Sequence, residues 1–198
     1  MTIKLALVIA AITLSLFQTS SVRATDAAEQ LTSSINRVVP IMRNTPRADL
    51  QMRGLPESAR KLIIDRFDFF EMTKRSLDWR WNSLTRAQQK QFVDAYSKWQ
   101  LVNYGKVLLS SHGEAIEFIR ERRHGTDAAV ETRIVSRYRD DLPIDYRLHN
   151  IRGTWKVYDM VIDNVDLIQN VRAQFERVIG KSSIDELLQK IKDHGQPS

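Results

Sequence analysis

Asp159 lies in the middle of the alternating segment Trp155-Lys156-Val157-Tyr158-Asp159-Met160-Val161-Ile162, and it is the carboxylate of this chain that invites an acid–base role. A carboxyl group held in an apolar site near a tyrosine can transfer protons, and sheets cupped by helices host such chemistry. Tyr158 is the wrong partner for it, because neighbours on a strand point to opposite faces. The simpler expectation is a buried aspartate satisfied by a hydroxyl or a backbone amide across the sheet. Asp140 with Asp141, and Asp163 with Asp166, fall at turns and at a helix start, where acids accept from amides and complement the helix dipole.

The remaining chemistry-bearing residues assemble into nothing specific. His112, His124, His149 and His194 form no HExxH motif and no i, i+4 pair, so no metal site is expected. Gly180-Lys181-Ser182 imitates the end of a phosphate-binding loop, but the first glycine of that motif would have to stand at Phe175 and the tripeptide follows a helix rather than a strand. It reads better as a helix stop followed by the next helix start. No GxSxG nucleophile elbow occurs, so no catalytic residue and no cofactor is assigned.

The elements that would position these groups follow from two hydrophobic periods. Residues 26 to 42 carry Leu31, Ile35, Val38 and Val39 on one side of a helix, and a short helix is expected from Glu57 to Ile64. Phe67, Phe70, Leu77, Trp79 and Trp81 concentrate the aromatic residues in the next stretch. Thr85 and Gln88 then form a capping box ahead of a long helix to about Ser110, with Phe92, Ala95, Tyr96, Trp99, Val102 and Val107 on its buried side. The period then shortens to two. Ile116 to Arg122, Val130 to Tyr138, Pro143 to Ile151 and Thr154 to Ile162 alternate between turn signals, which predicts an antiparallel meander of four strands. From Val165 the helical period returns through Ile168, Val171, Phe175 and Val178, and Ser183 with Glu186 caps a last helix to Lys192. The class is therefore α+β.

Lys4, the apolar run Leu5 to Phe17 and the end Val22-Arg23-Ala24 make residues 1–24 a secretory signal peptide. The run is shorter than the ~20 residues of a membrane span. Residues 25–198 then form the mature chain, expected as one domain. The leader holds Lys4 and Arg23 and no acid, so its removal lowers the formal net charge from +6 to +4. Basic residues are interspersed with acids, as in RERRHGTD, so nucleic acid is not an expected partner. With no cysteine, stability has to come from a packed core rather than disulfides.

Several blocks, in order, resemble a known family. These are Asp65, Phe67, Asp68, Phe69 and Met72; Thr85, Gln88, Phe92 and Tyr104; Pro143 and Tyr146; and Trp155, Tyr158, Asp159, Val161, Arg172 and Phe175. Together they resemble the MlaC, or toluene-tolerance, family of periplasmic carriers that move phospholipid between the two membranes of Gram-negative bacteria. Two departures stand out: Asp78 occupies a position where the family usually has glycine, and Asp163-Asn164-Val165-Asp166 stands where it often reads Glu-Gly-Val-Ser. The resemblance implies a cone-like fold, a curved four-stranded antiparallel sheet wrapped by N-terminal and C-terminal helices around an apolar pocket. It implies a phospholipid ligand, and as partners an inner-membrane ABC transporter complex and an outer-membrane lipoprotein complex. Hopanoid and other envelope lipids are the alternative cargo, and an enzyme on the same scaffold is the alternative class. Apolar faces combined with that architecture predict a pocket lined by Phe70, Leu101, Tyr104, Leu108, Ile134, Tyr146, Leu148, Val157, Met160, Val161 and Ile168, with Tyr158 and Arg172 at its rim.

Overall fold

Apolar periodicity sorts this chain into helices first, strands second and helices again. The computed structural model describes residues 26–110, 115–135 and 140–194, with side chains outside 106–110 and 194; the expected leader lies outside these residues. The elements are α1 (Ala27–Asn44), α2 (Arg47–Arg53), α3 (Glu57–Arg66), α4 (Phe69–Leu77), a 3₁₀ segment (Asp78–Ser83), α5 (Arg86–Ser110), β1 (Ala115–His124), β2 (Asp127–Val135), β3 (Leu142–Ile151), β4 (Thr154–Ile162), β5 (Val165–Asp166), α6 (Leu167–Ile179) and α7 (Ile184–His194). Among the described residues, no helix is long and apolar enough to cross a membrane.

Local chemistry sets the helix ends. Gln88 N–H donates to Thr85 Oγ1 at 3.2 Å while Thr85 N–H donates to Gln88 Oε1 at 3.0 Å, the reciprocal box expected before α5. Ser183 Oγ accepts from Glu186 N–H at 3.1 Å before α7, and Asp166 accepts from Gln169 N–H at 2.9 Å before α6.

Among the described residues the sheet has five strands rather than four, in the order β1-β2-β3-β4-β5, with every neighbouring pair antiparallel. The extra strand arises at the chain's own departure, Asp163-Asn164. Both residues take positive φ, 48° and 63°, as a two-residue hairpin turn requires, so the chain folds back and pairs Val165 with Ile162 before the helix starts at Leu167. Arg152 and Gly153 make the matching turn between β3 and β4 with φ of 52° and 90°.

Register puts one apolar face together. Val130, Tyr146 and Met160 form one cross-strand row, and Thr132, Ile144 and Ile162 the next. A bulge interrupts the alternation of β4: Arg147 pairs with Asp159 whereas Leu148 pairs with Val157, leaving Tyr158 as the extra residue. The apolar face therefore passes from Trp155 and Val157 to Met160 and Ile162, instead of continuing to Val161. α1 packs against β1, β2, β4 and α3, while α4, α5, α6 and α7 pack against one another and α6 also meets β4.

Candidate functional site

Between α1, α3 and the apolar face of the sheet lies a cavity of about 100 Å³. Leu31, Ile35, Val38 and Val39, the helical stripe of α1, form one wall, and Leu62, Ile63 and Phe67 extend it. Ile134, Ile144, Tyr146, Met160 and Ile162 form the sheet wall, and Tyr104 of α5 closes one side beside Phe67, with ring centres 5.2 Å apart. Its size is modest. An apolar cavity of about 150 Å³ takes one benzene, so a two-chain lipid needs this space to widen.

Polar ties concentrate at one end of the cavity. Arg66 donates through Nε to Ser34 Oγ at 2.9 Å, through Nη1 to Gln30 Oε1 at 3.0 Å, and to the carbonyl of Trp155. Gln30 in turn accepts from Trp155 N–H at 3.0 Å, and Glu121 accepts from Ala28 N–H at 2.8 Å. Burial lowers the Arg66 pKa from its ordinary value, the expected response of a cation partly withdrawn from water. The first half of α1 is thus held to β1, β4 and α3 by directional bonds. Further along, Ile35, Val38 and Val39 meet the cavity through apolar side chains.

Phenols distinguish the wall from the rest of the core. Tyr96, deep under α4, accepts from Ser76 Oγ at 3.3 Å and from Gln100 Nε2 at 3.0 Å, and burial pushes it up to about 12. Tyr104 is only 7% exposed, and its hydroxyl is buried with no hydrogen-bond partner among the described residues. Burial raises its pKa well above the usual range, with Tyr96, Asp159 and Tyr146 adding to the effect. Tyr146, also in the wall, is pushed up to about 12 by burial.

A second site lies where α4, β4 and α6 meet. Asp159, 3% exposed, accepts from Met160 N–H at 2.8 Å and Ile168 N–H at 3.3 Å. Arg147 Nη1 bridges Asp159 Oδ2 at 2.5 Å and Asp166 Oδ2 at 2.6 Å. Burial, with Asp166 beside it, raises the Asp159 carboxyl above its ordinary value against the pull of Arg147 and the two amides. Arg75 stacks over the Tyr158 ring at 4.2 Å, and Arg172 donates to the Arg75 carbonyl at 2.7 and 3.1 Å. This open groove is lined by matched charges, with Arg75, Arg147 and Arg172 facing Asp159, Asp166 and Glu176. Among the described residues no cluster of histidines and acids could hold a metal ion. His149 instead meets Asp68 through Nε2 at 3.0 Å.

The profile described as MlaC protein matches residues 32–193. The chain belongs to the MlaC family. Among solved structures, a protein of Ralstonia solanacearum described as a phospholipid-binding protein in complex with a phospholipid shares the fold, with a TM-score of 0.73 at 22% identity over 86% of this chain and 97% of its own. No curated protein matches the sequence.

Within this MlaC fold, Tyr104, Ile134, Tyr146 and Met160 line the cavity. Leu101, Leu148 and Val157 are buried in the same core without reaching the wall. Val161 is half-buried opposite Asp145, and Ile168 lines the charged groove with Tyr158 and Arg172. Phe70 is 53% exposed and packs edge-on against Trp81, and the side chain of Leu108 lies outside the described residues. The wall residues of α1 and α3 carried a signal, their helical apolar stripes, but a stripe does not say what it faces.

Proposed function

We propose that this chain is a periplasmic lipid carrier, a non-enzymatic protein that encloses the acyl chains of a phospholipid between α1, α3 and the sheet and shuttles it between an inner-membrane ABC transporter complex and an outer-membrane lipoprotein complex. In this proposal residues 1–24 direct export and residues 25–198 form the lipid-binding domain. The observation that carries it is an apolar cavity of about 100 Å³ at the centre of an MlaC-family fold. The phospholipid bound to the Ralstonia solanacearum protein of the same fold supports the choice of ligand.

The physics favours enclosure and guided release. Burial contributes about 0.8 kcal/mol per CH₂, so each long acyl chain gains roughly 10 kcal/mol before binding costs. Escape through water is correspondingly slow, and unloading needs a partner that favours the widened form. Widening is cheapest where the contacts are apolar, because lipid replaces the contacts that are lost. That points to the side of the cavity under Ile35, Val38 and Val39, with the Arg66 cluster as the fixed end.

The test is transfer from loaded protein to membranes carrying the partner complexes, measured in direct contact and across a dialysis membrane that holds the protein back. The expected result is rapid transfer in contact and essentially none across the gap. Equal rates in the two arrangements contradict the carrier.

A further inference from the structure

The cavity wall holds a buried hydroxyl, that of Tyr104, with no hydrogen-bond partner among the described residues. Tyr104 sits beside Phe67 and Phe69, with ring centres at 5.2 and 6.5 Å. A buried polar group left unpaired costs stability that a phenylalanine at the same place would not incur. The contrast with Tyr96 is internal to the fold: about two turns earlier on the same helix, that phenol is bonded to both Ser76 and Gln100. What differs at Tyr104 is the neighbour, which is the cavity rather than packed protein.

The surroundings also restrict what the hydroxyl could meet. The guanidinium in the cavity wall, Arg66, spends Nε and Nη1 on the neutral acceptors Ser34, Gln30 and the Trp155 carbonyl, which fix it at the polar end of the cavity. The rest of the wall, apart from Ser34 and the second phenol Tyr146, is apolar. A charged group at Tyr104, beside the rings of Phe67 and Phe69, would need a counter-charge that those rings do not supply. A neutral acceptor would not.

We propose that Tyr104 is a binding residue that donates a hydrogen bond to an acyl ester carbonyl of the enclosed lipid, so that the cavity selects ester-linked over ether-linked chains and leaves the charged head group outside. The proposal rests on the lipid-carrier reading and adds to it a polar determinant inside an otherwise apolar site. An acyl ester places a strong neutral acceptor at the root of each chain, whereas the corresponding alkyl ether removes the carbonyl and leaves chain length and head group unchanged.

The experiment compares uptake of a diacyl phosphatidylcholine and its dialkyl ether analogue, of equal chain length, from vesicles by the full mature protein. The native protein is expected to prefer the ester lipid by about tenfold, the worth of one well-made hydrogen bond in a dry site. Tyr104→Phe should bind both lipids at the level of the ether and be at least as heat-stable without lipid, because the orphan hydroxyl is gone. Tyr96→Phe, which removes a bonded phenol outside the wall, should lose stability and keep the ester preference. Equal uptake of ester and ether by the native protein, or a preference that survives in Tyr104→Phe, overturns the role of Tyr104 while leaving a lipid carrier in place. Uptake of neither lipid overturns the carrier reading and this inference with it.

Discussion

The two sites differ in how their polar groups are treated. At the junction of α4, β4 and α6, Asp159 is met by two amides and Arg147, and Arg147 by a second carboxylate. On the other side of the core, the cavity is bounded mainly by apolar side chains, Ser34 and Arg66 excepted, and its wall contains a hydroxyl without a partner among the described residues. A satisfied polar network resists opening, because each broken bond exposes a buried group that has lost its partner. An apolar contact can be exchanged for a lipid chain at little cost. The contrast assigns the junction to holding the sheet and α6 in place, and the apolar stretch of α1 around Ile35, Val38 and Val39, beyond the Arg66 cluster, to the movement that admits a ligand.

The largest effect expected from breaking this contrast is at Asp159. Asp159→Ala removes the acceptor for two amides and half the bridge of Arg147, and should destabilise the fold by about 3 kcal/mol, moderated by the partial exposure of Arg147. Chemical denaturation measures it, and a loss under 1 kcal/mol removes the junction's claim to rigidity. The surviving folded protein should retain its lipid affinity, since Asp159 does not line the cavity.

Arg66→Ala is the next test, because Arg66 clamps the fixed end of the cavity. It should lower stability by about 2 kcal/mol and, unlike Asp159→Ala, speed lipid release by roughly tenfold. Release kinetics from loaded protein to excess vesicles distinguish the two variants. Faster release from Asp159→Ala than from Arg66→Ala would reverse the assignment of fixed and moving parts.

The smallest effect concerns Asp78, which adopts φ 52°, ψ −133°, a conformation that favours glycine. Asp78→Gly should stabilise the protein by about 1 kcal/mol through relief of backbone strain, less the loss of an exposed ion pair to Arg172 at 3.4 Å. Thermal unfolding reads this directly, and lipid affinity should not change.

Much of this architecture is written in short-range signals. The capping boxes at Thr85 and Ser183 and the alternation of the main strands give those elements from the sequence. β5 escapes notice because a strand of two residues has no period, and its cue is the Asp163-Asn164 turn. The bulge at Tyr158 is equally silent: uninterrupted alternation puts Val157, Asp159 and Val161 on one side, while the structure turns Met160 and Ile162 toward the cavity. The same limit explains Phe70, apolar and aromatic in sequence but exposed on the surface of α4. Whether a phenol has a hydrogen-bond partner is a property of tertiary neighbours, so Tyr96 and Tyr104 look alike on one helical stripe and differ in the fold.

The claim that the apolar side exists to enclose a lipid is tested most directly by native mass spectrometry of the protein purified without detergent from a Gram-negative periplasm. The account predicts a mass increment equal to a two-chain lipid, released and identified on extraction. A bare polypeptide mass, from protein that also takes no lipid from vesicles, contradicts it.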